Sequence, residues 1–142
     1  MGKRRTSRRL AMQAVYQAEL AGIGIDQSIQ NILENEKFIP ETIEFAKTLA
    51  EATWKQRGAL DKKIASLSVD WPLDRIGKVD HSILRIALQE LDSGATPASV
   101  VINEAVELAK KYSSEDAAKF INGILGAYLR AGPPAGRAGR RA

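Results

Sequence analysis

The sequence predicts an all-α fold of about seven helices. Three observations carry that prediction: apolar residues recur at three- and four-residue steps along most of the chain, no segment shows the two-residue alternation of a strand, and glycine, proline and small polar residues punctuate the periodic runs. The 142 residues fit one domain, large enough to bury about two thirds of the surface that its unfolded form exposes.

The elements follow in order. Thr6 or Ser7 is expected to cap a first helix with Leu10, Ala14, Val15 and Ala18 inward, ended by Gly22 and Gly24. Arg5, Arg8, Arg9 and Met12 then share a face. Asp26 opens a second helix packing through Ile29, Ile32 and Leu33. Pro40 suits the first turn of a longer third helix carrying Ile43, Ala46, Leu49, Ala50, Trp54, Leu60, Ile64 and Leu67, which Gly58 bends or divides. Trp71-Pro72-Leu73 breaks the chain before a short helical turn around Asp74 to Ile76. Asp80 is then expected to cap a helix with Ile83, Leu84, Ala87, Leu88 and Leu91 inward, ended by Gly94 and Pro97.

In the next helix Val101, Ala105, Leu108, Ala109 and Tyr112 form the apolar stripe, and Glu104, Glu107, Lys110 and Lys111 occupy the other face. Ser113, with Asp116 three positions on, resembles a capping box with a shorter acid. It leads into a last helix with Phe120, Ile121, Ile124, Leu125 and Tyr128 along one stripe. By this reading residues 1–6 form a flexible arginine-rich arm, residues 7–130 a single helical domain, and residues 131–142 a disordered basic tail without apolar anchors.

Charge is segregated along the chain. The net charge is +4, yet all 17 acids lie between the basic ends, so the body from residue 10 to 129 is acidic. Such a body repels a polyanion, so nucleic acid is expected at the N-terminal cluster of Lys3, Arg4, Arg5, Arg8 and Arg9. A guanidinium grips phosphate in two prongs and stacks on exposed bases, which favours single-stranded RNA over a generic anion. The chain has no cysteine and no apolar run long enough for a signal peptide, which together point to a soluble cytoplasmic protein.

Residues Ile83 to Leu91 and Val100 to Leu125, with the arginine cluster ahead of the first helix, resemble the NusB family of bacterial transcription antitermination factors. The resemblance covers roughly residues 3 to 129 and is strongest from Val79 onward. It implies two three-helix sub-bundles sharing a core with an N-terminal helix. It also implies binding of boxA, a single-stranded leader element, in which Lys119 contacts phosphate, Phe120 offers a stacking platform and Asp116 lies at the rim. The spacing alone serves Phe120 equally well as a core residue, and Asn122 and Gly123 suit close helix packing. An acid often follows this motif in the family where Gly126 stands here, so a contact made by that acid does not carry over.

The resemblance implies a protein partner as well: the small ribosomal-subunit protein that doubles as NusE, with Tyr16, Asp80 and Leu84 as contacts, in the setting of the transcription elongation complex. Asp80 competes with its capping role and Leu84 with a place in the core.

Catalysis is not expected. The only histidine is His81, placed as an exposed or capping residue, and no glycine-rich phosphate loop follows a strand. Glu104 and Glu107 lie one turn apart without a histidine at a matching offset, so neither a metal nor a cofactor is implied. The expected function is antitermination by RNA binding with NusE, in support of ribosomal RNA transcription. The alternatives are an accessory RNA-binding module for ribosomal RNA modification, or a helical homodimeric scaffold.

Overall fold

In the computed structural model, which describes residues 2–132, seven α-helices and one 3-10 turn form, and no strand occurs among those residues. The helices are α1 (Lys3–Ala21), α2 (Ile25–Leu33), α3 (Pro40–Lys55), α4 (Arg57–Leu67), α5 (Lys78–Ser93), α6 (Ala98–Tyr112) and α7 (Glu115–Ala131), with the 3-10 turn at Leu73–Arg75. Most of the expected basic tail, residues 133–142, lies outside the described residues, and Ala131 still belongs to α7.

Local chemistry sets most boundaries. Gly22 and Gly94 end α1 and α5 in the left-handed conformation at φ 68° and 72°, which costs glycine little. Pro40 occupies the first turn of α3, where its missing N–H has no helical acceptor to lose.

Several expected boundaries shift. α1 begins at Lys3 rather than after a Thr6 or Ser7 cap, so residues 3–6, expected as an arm, form its first turn. The expected third helix is divided, and the break falls at Gln56, two residues before Gly58. Gly77, not Asp80, precedes α5. At α7 the cap is Ser114 rather than Ser113, its Oγ accepting a hydrogen bond from the Ala117 N–H at 3.0 Å. Asp116 therefore falls one position short of the box partner.

α1 lies against α2, α3 and α5, and so joins an N-terminal group, α2 to α4, to a C-terminal group, α5 to α7. Two buried serines seat it: Ser7 donates to the Thr42 carbonyl at 2.9 Å, and Ser28 of α2 donates to the Ala14 carbonyl at 2.6 Å. Each satisfies a hydroxyl that would be costly to bury unpaired. α5 runs through the centre, with Ile83, Leu84, Leu88 and Leu91 packed against Val15, Leu60, Ile64, Val101, Ile121 and Leu125 in one continuous core. Among the described residues no helix is long and apolar enough to cross a membrane.

Candidate nucleic-acid interface

The first turns of α1 present the basic cluster, and tertiary neighbours occupy most of it. Lys3 Nζ lies 3.0 Å from Glu41 of α3, an exposed pair. Arg4 lays its guanidinium over the Phe45 ring at 3.8 Å. Arg5 grips Glu104 of α6 with both prongs, Nε to Oε1 at 2.9 Å and Nη2 to Oε2 at 2.8 Å. These hydrogen bonds and the attendant charge hold the Glu104 carboxyl below its ordinary pKa and raise that of Arg5.

Arg8 is buried and paired with Glu90 of α5. That corrects its assignment as a phosphate contact, because a phosphate would have to displace a carboxylate from inside the protein. Among the described residues Arg9 donates only to Gln13, at 3.4 Å. Among the described residues Arg4 and Arg9 have no carboxylate partner.

Between the start of α1 and the end of α6 runs an open cleft of about 500 Å³. Arg5, Arg9, Lys110 and Lys111 line it with Glu104, Glu107, Thr6 and Tyr112. Four cations face two carboxylates, so the cleft is locally positive on an acidic body. Lys111 Nζ lies 5.5 Å from the centre of the Tyr112 ring, which is half-buried. The cleft thus combines phosphate-seeking cations with an aromatic edge.

Lys119 does not line this cleft. It lies in an adjoining groove between α6 and α7 with Asn103, Glu115 and Asn122, and Lys110 borders both. Phe120 turns the other way, half-buried against the core in a recess with Leu67, Val69, Asp70, Trp71 and Ile124. Asp116 sits exposed on the first turn of α7. Arginine cleft and Phe120 recess share no residue, so the fold separates two parts that the sequence places side by side.

The partner residues differ in burial. Tyr16 is half-buried on α1. Asp80 keeps a buried Oδ1 without a hydrogen-bond partner. Leu84 has no exposed surface, which corrects its assignment as a contact to that of a core residue. Near Asp80 lies a polar cluster: Arg85 donates to Asp61 at 2.9 and 2.7 Å and to Glu19 at 2.9 Å, and His81 Nε2 lies 2.6 Å from Asp61 Oδ1. Burial alone would raise the Asp61 pKa, but the hydrogen bonds from Arg85 and His81 outweigh it and hold the carboxyl at about 2. His81 is buried in this cluster, neither exposed nor capping.

Comparison with known proteins fixes the family. The chain matches the NusB family over residues 5–130. The chain belongs to that family. It is 41% identical over 142 residues to the transcription antitermination protein NusB of Anaeromyxobacter dehalogenans (strain 2CP-1 / ATCC BAA-258), covering 99% of this chain and 100% of that one. The NusB of Bacillus subtilis (strain 168) is 39% identical over 124 residues, or 87% and 92% of the two chains. Among solved structures, T. maritima NusB aligns with a TM-score of 0.84 at 30% identity over 94% of each chain. A crystal structure of antitermination factors NusB and NusE in complex with double-stranded RNA aligns at 0.85 and 28% identity, over 92% of this chain and 98% of that one.

Within this NusB-family fold, sequence reasoning missed Lys110, Lys111 and Tyr112 as cleft residues. Their only signal was a basic pair ending an amphipathic helix, which reads equally as a solvated face. It also missed the partnership of Glu104 with Arg5, 99 positions apart.

Proposed function

We propose that this chain is a transcription antitermination factor that acts by binding, holding single-stranded boxA-like leader RNA together with NusE near elongating RNA polymerase in the cytoplasm. The observation that carries this reading is the cleft in which Arg5 and Arg9 of α1 meet Lys110, Lys111 and Tyr112 of α6. Phosphates following the cations would leave bases free to meet the tyrosine edge. Lys119 continues the cationic path through the adjoining groove. The relatives of this chain are antitermination proteins, and one structural neighbour is a NusB in complex with NusE and double-stranded RNA. For NusE the reading keeps Tyr16 and Asp80, each of which leaves part of its surface exposed, and sets aside the buried Leu84.

The test is fluorescence anisotropy of a labelled boxA-like single strand against a scrambled strand of equal length, with and without NusE. The expected result is a preference for boxA that sharpens with NusE. Replacing Lys110 and Lys111 by alanine should flatten the log–log salt dependence by about 0.7 for each phosphate left without its cation. Equal affinity for both strands, unmoved by NusE, would overturn the reading.

A further inference from the structure

Arg5 and Arg8 make the same two-pronged carboxylate pair at different depths. The side chains of Arg8 and Glu90 are 7% and 6% exposed. Arg5, by contrast, is 50% exposed on the wall of the cationic cleft, and its partner Glu104 lies 14% exposed beside it. A carboxylate gripping a guanidinium through two parallel hydrogen bonds presents the same pair of acceptors as a phosphate diester. Arg5 therefore already holds an internal anion where an RNA phosphate would sit.

Resting on the RNA reading above, we infer that Glu104 is a specificity-determining residue: a built-in competitor that an RNA phosphate must displace from Arg5. The exchange is close to balanced, because a phosphate offers the half-exposed Arg5 guanidinium the same pair of acceptors that it takes from Glu104. Once displaced, Glu104 stays in the cleft as a fixed negative charge. Strands that place a phosphate against Arg5 in two-pronged geometry win the exchange, whereas loosely tracking polyanions do not. The protein thereby carries an arginine-rich helix end without offering all of it to any nucleic acid. Glu107 provides the control. It lines the same cleft, but its only ion pair among the described residues is with Lys110 at 3.8 Å.

The test compares wild type, Glu104→Gln, Glu107→Gln, Arg5→Ala and the Arg5→Ala/Glu104→Gln double variant, all binding a short fluorescein-labelled single-stranded RNA across a salt series. Glu104→Gln should bind about fivefold tighter than wild type, the upper end for an ion pair with one partner in water, with a salt slope steeper by about 0.7. Glu107→Gln, which relieves cleft repulsion without freeing Arg5, should tighten binding by less than Glu104→Gln does, and in the Arg5→Ala background Glu104→Gln should gain no more than Glu107→Gln gains in the wild type. Equal effects of the two glutamine variants, or weaker binding by Glu104→Gln, would overturn the inference while leaving the RNA reading intact. Absence of salt-sensitive binding by the wild type would overturn both.

Discussion

Arg8 of α1 and Glu90 of α5 form a buried, two-pronged ion pair, with Nε to Oε1 at 2.6 Å and Nη2 to Oε2 at 2.9 Å. It fastens the helix that bears the basic cluster to the central helix of the core. In sequence Arg8 is one of five alike cations; in the fold it is a pin that sets where the others point.

Arg8→Ala leaves the Glu90 charge buried without its partner and should lower stability by about 3–5 kcal/mol, measured by urea or thermal denaturation. Replacing both residues together, as Arg8→Met with Glu90→Leu, should recover most of that loss. Wild-type stability in Arg8→Ala would show that the pair does not fasten the helices.

Acid should weaken the fold through Asp61. Its carboxyl titrates at about 2 when folded against an ordinary value of 3.8, so the unfolded chain takes up the proton first as pH falls. The contribution, on the order of 2 kcal/mol, is complete above about pH 5 and is lost progressively as pH falls to 2. Urea denaturation of wild type and Asp61→Asn over that window checks this. The variant should be the less stable near neutrality, and the gap should narrow toward pH 2.

Phe120→Ala should lower stability by about 2 kcal/mol, less than a fully buried phenylalanine loses, because the ring is only half-buried against the core. If the exposed part also stacks on a base, RNA binding should weaken by about 1–3 kcal/mol, read by anisotropy on protein verified as folded. Unchanged affinity would make the ring purely structural.

Much of the fold was legible in the order of residues. Apolar spacing, the glycines at 22 and 94 and the proline at 40 act within a few residues of chain, so local periodicity and backbone sterics suffice to place the helices. Boundaries shifted where local signals were nearly degenerate: Ser113 and Ser114 are equivalent caps until packing fixes the entry of α7. The basic character of the N-terminal end was legible too, because charge needs no geometry to be counted.

What no linear reading supplied was the pairing. Arg5 with Glu104, Arg8 with Glu90 and Asp61 with Arg85 lie 99, 82 and 24 positions apart, and an ion pair exists only where packed helices bring its members within reach. Likewise Lys119 and Phe120 are consecutive yet face different grooves, since successive residues on a helix point about 100° apart. Helical periodicity is a property of a segment, whereas the availability of an arginine to a ligand depends on every helix packed around it.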